Sequence, residues 1–235
     1  PIFVLSLIQT QADFQRQADD RQVDLQLAAE RSASSAKAKL DSAQVLLRAL
    51  SPDAVGPYCA PRLTALVGRL EGYEGLYRIS PTGEAVCASG RADGVRSGVA
   101  PAAQATWFQR LRNGEELVVM RAPDGAGYEG ALIVATRAER PMGRFDGAMV
   151  AVIPFSALQP DVADPALPSG AEAALTDGAG RILTASDPDV FKLSAGDDIA
   201  GWVGRARDRG SAVFEAKDAQ NQRRDYAGAA LAGGD

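Results

Sequence analysis

No histidine occurs in the 235 residues, and cysteine occurs twice. The first absence excludes Ser-His-Asp and Cys-His catalysis, and with them acid sensing by imidazole near neutral pH. So few soft ligands make zinc and iron–sulfur sites improbable, and neither a metal nor a cofactor is expected. Basic charge is also short: 25 Lys and Arg stand against 30 Asp and Glu, a net charge of −5. Such a balance offers no footing for nucleic acid. Long hydrophobic runs are missing as well. Residues 1–9, Pro-Ile-Phe-Val-Leu-Ser-Leu-Ile-Gln, fall far short of the roughly 20 apolar residues that span a bilayer. They read as the tail of a transmembrane helix, the tail of a signal h-region or a buried first helical turn. The first reading is favoured, because a polar helical segment follows without a small-residue cleavage site.

What is present is ordinary globular material, 46% hydrophobic and 23% charged. From Gln9 to Leu50 there is neither Pro nor Gly, and Ser51-Pro52 supplies a stop. Apolar residues recur at Phe14, Ala18, Leu25, Ala28, Ala36, Leu40, Ala43, Leu47 and Leu50, mostly at helical spacing. The pattern predicts one long helix with a narrow, Ala-rich stripe, the form of a stalk or of a helix packed on a partner helix. Homodimerisation through it is expected, the alternative being that the stripe packs only on the rest of its own chain.

Beyond it, a second helix is predicted from Pro61 to Leu70, then strands at Leu76–Ile79, Glu84–Ser89, Leu117–Arg121, Ala131–Arg137 and Ala148–Ile153, with a helix at Trp107–Arg112. Residues 154–170 carry four prolines and read as a linker. The most informative feature is an internal repeat. Ser80-Pro-Thr-Gly83-Glu-Ala-Val86-Cys-Ala88-Ser89 recurs as Asp177-Gly-Ala-Gly180-Arg-Ile-Leu183-Thr-Ala185-Ser186. Trp107-x-x-Arg110-x-Arg112 recurs as Trp202-x-x-Arg205-x-Arg207. A strand hairpin follows each copy, Leu117–Arg137 and then Ala212–Ala229. One strand–turn–strand–helix–strand–strand unit is therefore expected twice in tandem.

Several motifs carry less than they promise. Gly125-Ala-Gly127-Tyr-Glu-Gly130 matches a dinucleotide fingerprint, but a strand follows where that chemistry needs a helix N-terminus, so it reads as a turn. Ser34-Ser-Ala-Lys37 matches an acylase nucleophile motif, yet it lies mid-helix without its companion elements and reads as a solvated face. Asp177, Asp187, Asp189, Asp197 and Asp198 do not fall in the alternating pattern of a calcium loop. Cys59 and Cys87 are 28 positions apart. In the oxidising compartment that an upstream membrane span implies, a disulfide is expected, worth about 3–4 kcal/mol in the chain-entropy model. Two buried thiols, or one redox-sensing thiol, are the alternatives.

Taken together, the long helix, the tandem units and four stretches resemble a double Cache sensor domain, a tandem PAS-like extracytoplasmic module. The stretches are Tyr77–Ser89, Trp107-Phe108, Val152-Ile-Pro154-Phe-Ser-Ala-Leu158 and Ala174–Gly180. The resemblance implies an α+β fold divided into a stalk helix over 1–56, a membrane-distal unit over 57–154, a linker over 155–170 and a membrane-proximal unit over 171–235. It implies the periplasmic part of an inner-membrane signalling protein, anchored by flanking transmembrane helices and itself not an enzyme. The expected parent is a sensor histidine kinase, ahead of a chemoreceptor or diguanylate cyclase. A periplasmic enzyme using carboxylates and a ligand-free dimerising module are the alternatives from other classes. A small polar or anionic ligand is expected in the distal unit near Trp107, Phe108, Arg121, Tyr128 and Asp146. Amino-acid-binding members place an Arg two residues before the Trp-aromatic pair; here Ala105 stands there.

Overall fold

A helix of 49 residues, α1 (Ile2–Leu50), opens the chain, as an unbroken run without Pro or Gly permits. The computed structural model describes residues 2–51, 54, 56–89, 99, 101–122, 130–158, 170–176, 180–193 and 199–230, the stretches 2–19 and 199–200 as backbone only. Along α1, Ala28, Ala36, Ala43 and Leu47 are buried, four members of the stripe expected from spacing. No helix among the described residues is long and apolar enough to cross a membrane. The chain forms two compact units, one from Ala38–Leu158 and the other from Pro1–Lys37 with Gln159–Asp235.

The unit from Ala38 to Leu158 contains α2 (Cys59–Val67), β1 (Gly75–Ile79), β2 (Ala85–Ala88), α3 (Thr106–Arg112), β3 (Leu117–Arg121), β4 (Ala131–Arg140), β5 (Arg144–Pro154) and the single turn α4 (Phe155–Leu158). The strands form one antiparallel sheet in the order β2-β1-β5-β4-β3. Register fixes what each face carries, because directly opposed residues share a face. One row runs Ala88–Tyr77–Val150–Ala135–Val118, and the neighbouring row, on the other face, runs Cys87–Arg78–Met149–Thr136–Leu117. The first face packs against α3, whose Trp107, Phe108 and Leu111 are buried with Tyr77, Ile133 and Val150. Leu76, Met149, Ala151 and Val134, on the second face, are fully buried too. The end of α1 and α2 are the elements there. Lys39 Nζ donates to the Ala157 carbonyl at 2.5 Å, Arg48 meets Glu116 at 3.1 Å, and α2 lies against β1 and β2.

Two differences from the sequence reading have local causes. Strand β5 starts four residues earlier than predicted because Gly147, at φ +95°, lets the chain bend close to β1; a Cβ there would stand 2.0 Å from the Ile79 carbonyl oxygen. The start of the predicted linker is instead the turn α4, whose Phe155 and Leu158 are buried and whose Phe155 N–H donates to the Gly130 carbonyl at 2.8 Å. The Gly130 end of the glycine-rich stretch leads into β4, in keeping with a turn; residues 123–129 lie outside the described residues.

The other unit contains, besides the start of α1, β6 (Ala174–Thr176), β7 (Ile182–Ala185), α5 (Ile199–Arg209), β8 (Ser211–Lys217) and β9 (Arg223–Ala229). The order β6, β7, α5, β8, β9 repeats the order β1, β2, α3, β3, β4 of the first unit, as the repeat requires, without a counterpart of β5 among the described residues. Its strands differ: among the described residues they form two separate hairpins, β6–β7 and β8–β9, and a bridge outside these strands pairs Leu193 with Asp218. Trp202 stacks on Phe214 at 4.0 Å and Phe214 on Tyr226 at 5.1 Å, while the Arg205 guanidinium lies 3.5 Å over the Trp202 ring. Gln26 Nε2 donates to Ser211 Oγ at 2.9 Å, and Ser211 Oγ donates to Glu30 at 2.7 Å, which ties α1 to β8.

Candidate ligand-binding face

Helix α3 presents the aromatic pair expected from the sequence. Ala105 begins it in an extended conformation without a side-chain cap, and the preceding chain is set by the β1–β2 turn. Gly83, at φ +90°, lies so close to Ala103 that a Cβ would stand 2.4 Å from its backbone nitrogen, and Gly83 accepts the Ala102 N–H at 2.7 Å. The Ser-Pro-Thr-Gly turn thus positions the entry to α3. From there Trp107 and Phe108 reach the sheet edge-to-face with each other at 5.6 Å, and Phe108 meets Phe145 at 5.5 Å. Both rings of the α3 pair are essentially sealed from solvent, at 1% and 0% exposure. The Trp107 indole N–H has no hydrogen-bond acceptor in this core. A buried donor left without a partner costs about 1–3 kcal/mol, which makes it the one polar group on this helix that calls for an acceptor.

Arg121 and Asp146 are not brought to that aromatic pair. On β3, Val118 and Met120 pack with the α3 core, so Arg121, one residue on, leaves the strand on the opposite face, paired with Leu132. Asp146 is held by Arg78, whose side chain leaves β1 on the face opposite Tyr77 and Ile79. Asp146 Oδ2 accepts from Arg78 Nη2 at 2.7 Å and Oδ1 from Arg140 Nε at 2.6 Å. Arg78 is 3% exposed and also donates to the carbonyls of Ile79 and Asp146 at 2.6 and 2.7 Å. Burial disfavours its cation and pulls its pKa down, while Asp146 opposes that shift. Tyr128 lies outside the described residues. The expected constellation thus separates into an aromatic pair beneath α3 and a buried ion pair elsewhere.

Two further arginines hold this region together, of which the sequence pointed to Arg137 as part of an aromatic–Arg cluster and missed Arg78. Arg137 donates through Nη1 to the Leu111 carbonyl, closing the end of α3, and its guanidinium lies 5.0 Å from the Phe145 ring centroid. Arg78 is the other; its signal was a lone charge between Tyr77 and Ile79 in an apolar strand. Cys59 and Cys87 form the expected disulfide, with 6.0 Å between their Cα atoms, joining the start of α2 to β2. No group of three or more Cys, Asp or Glu that could hold a metal ion occurs among the described residues.

No family model and no curated protein matches the chain by sequence. Solved structures do. The extracellular domain of rpHK1S-Z16, a protein assigned to the histidine kinases, superposes with TM-score 0.62 at 19% identity, over 94% of this chain and 99% of that one. The ligand-binding domain of the Campylobacter jejuni chemoreceptor Tlp3, in complex with L-norvaline, gives 0.62 at 18% identity over 88% and 85%. The sensor domain of the V. cholerae histidine kinase DctB gives 0.54 at 14% identity over 92% of each chain. The chain therefore has the fold of the extracellular sensor domains of histidine kinases and chemoreceptors, a Cache-type sensor fold.

Proposed function

We propose that this chain is the extracytoplasmic sensory part of a membrane-anchored signal-transduction protein, a two-component sensor histidine kinase, itself without catalytic activity. The carrying observation is the end-to-end likeness, over 94% of this chain and 99% of the other, to an extracellular histidine-kinase domain. The Cys59–Cys87 bond suits an oxidising compartment outside the cytoplasm. A chemoreceptor parent is the second reading, favoured by the likeness to the Tlp3 sensory domain at 17% identity and TM-score 0.61.

The signal in this account is a small polar or anionic molecule bound at Trp107 and Phe108, because the buried Trp107 N–H lacks an acceptor there. The domain of Tlp3 that resembles this chain holds L-norvaline, which supports a ligand of that size. Arg121, Tyr128 and Asp146 belong to the proposal in a lesser role, since Arg121 and Asp146 stand away from the α3 core. The molecule works as a homodimer through α1; the Ala-rich stripe expected to meet the partner helix is buried within its own chain at Ala28, Ala36, Ala43 and Leu47, so the interface lies on the side away from it. Val23, Leu27 and Val45 are 56%, 50% and 68% exposed there, an apolar exposure that a second helix would cover. Sedimentation of the chain with and without residues 1–30 tests this: a concentration-dependent dimer lost on truncation is expected, and a monomer in both forms contradicts it.

A further inference from the structure

In the unit from Ala38 to Leu158, β5 lies between β1 and β4 and is antiparallel to both. Val150 stands opposite Tyr77 on one side and Ala135 on the other, and Met149 stands between Arg78 and Thr136. Two matching serine contacts set the correspondence with the other unit. Ser89 closes on Leu76 and Ser186 on Ala173, so β6 takes the place of β1 and β7 that of β2. Strand β9, paired with β8 after α5, takes the place of β4. The two strands that flank β5 in one unit are therefore β6 and β9 in the other, and among the described residues each of them pairs on one side only.

Burial differs accordingly. All five residues of β1 are buried, as are the seven from Gly147 to Ile153 in β5. Strands β6 and β7 hold no buried residue, and β9 holds one, Tyr226. Trp107 is sealed, whereas its counterpart Trp202 is half-buried. Both faces of the β8–β9 hairpin are nevertheless furnished. Trp202 of α5 stacks on Phe214, and Phe214 on Tyr226; Ser211, whose side chain leaves β8 on the opposite face from Phe214, is held by Gln26 and Glu30 of α1. An edge of backbone N–H and C=O groups in such a setting is a template for another strand.

We propose that this unit receives one further β-strand, entering between β6 and β9 antiparallel to both, and that a polypeptide segment outside residues 1–235 supplies it. Outside its helices and strands, the sequence of this unit holds no run of five residues drawn from Ala, Val, Ile, Leu, Met and Phe, such as β5 has in Ala148–Ile153. The chemistry of the segment follows from β5. Val150 and Val152 belong to the α3 core, while Met149 and Ala151 are buried on the other face; a strand covered on both sides is apolar throughout. Main-chain hydrogen bonds to β6 and β9 supply affinity, and side chains set against the Trp202–Phe214–Tyr226 column supply selectivity.

Amide exchange of the whole chain tests this. In dilute solution β6 and β9 are expected to exchange at least about tenfold faster than β1 and β4. A synthetic peptide with the Arg144–Pro154 sequence is the probe. It is expected to slow exchange in β6 and β9 at least about tenfold and to leave β1 and β4 unchanged. Its Val150→Pro form, which cannot donate at the middle of the ladder, is expected to have no effect. A second form of the chain carries the same sequence joined after Asp235, where the raised effective concentration makes peptide affinity immaterial; β6 and β9 are expected to gain the same protection there. Three results overturn the proposal: β6 and β9 already as protected as β1 and β4 in the dilute chain, protection that grows with chain concentration alone and so assigns the place to a second copy, or exchange that neither the peptide nor the joined sequence slows. A Val150→Pro peptide that protects as well as the unmodified one overturns it too.

Discussion

The Ser89 hydroxyl closes the open end of the first hairpin on Leu76: it accepts the Leu76 N–H at 2.7 Å and donates to the Leu76 carbonyl at 3.1 Å. Ser186 takes the same place opposite Ala173 in the second unit, accepting its N–H at 2.9 Å, but its own proton goes to the Glu172 carboxylate, with the Ala173 carbonyl at 3.3 Å. The backbone N–H of each serine adds a third bond to the same carbonyl, at 2.9 Å in both cases. This is what the repeated Ala-Ser of the two copies is for. Ser89→Ala leaves the buried Leu76 N–H without an acceptor and is expected to destabilise the unit from Ala38 to Leu158 by about 1–3 kcal/mol. Ser186→Ala, in a half-buried setting, is expected to cost less than about 1 kcal/mol, since water reaches the freed group. Urea unfolding followed by amide exchange in each unit measures both.

Gly147 holds the register of β5 against β1 through a positive φ and a contact that no side chain can share. Gly147→Ala is expected to cost more than about 3 kcal/mol. Its readout is the yield of soluble protein and the thermal midpoint.

Asp146 is a structural partner of Arg78 in the fold. Asp146→Asn leaves a guanidinium buried without its counter-charge and is expected to cost about 2–4 kcal/mol. Arg140→Ala removes the exposed partner, 63% accessible, and is expected to cost less than about 1 kcal/mol. Chemical unfolding of the two variants separates them.

Asp218 organises the β8–β9 turn. Its carboxylate accepts the N–H groups of Gln220 and Gln222 at 3.0 and 2.9 Å and meets Arg224 Nε at 2.7 Å. The Arg224 hydrogen bond, with those of the backbone, holds its pKa below the ordinary carboxylate range against the opposing effect of burial. Because the folded pKa is the lower one, this contribution is present in full above the unfolded value of about 3.9 and is lost as pH falls through the folded value. The hairpin is expected to keep its protection between pH 7 and about 5 and to loosen below about 4, whereas Asp218→Asn loosens it at every pH. Near-ultraviolet circular dichroism of the Trp202–Phe214–Tyr226 stack follows the change.

Much of this was legible in the chain. The span free of Pro and Gly marked α1, and the tandem Gly-x-x-[Val/Leu]-x-Ala-Ser and Trp-x-x-Arg-x-Arg patterns marked two units with the same element order. What the pattern could not carry was the second unit's division into two hairpins, since pairing between β6–β7 and β8–β9 depends on tertiary contacts rather than on local sequence. The site was legible in part. Trp107 and Phe108 are adjacent on one short helix, so their meeting at the sheet follows from the helix alone. Arg121 and Asp146 were placed by chain order, and a strand sends alternate residues to opposite faces, so one position decides the side. For Asp146 the bend at Gly147 settles the partner, and no periodicity in the strand announces it.

The central claim, a ligand-sensing face beneath α3, is tested most directly by thermal denaturation of the chain with a library of amino acids, carboxylates, amines and nucleobases, run beside Trp107→Phe and Trp202→Phe. The account predicts that at least one compound raises the midpoint by several degrees, that Trp107→Phe abolishes the rise, and that Trp202→Phe keeps it. A library without any stabilising compound, or a rise that survives Trp107→Phe, contradicts it.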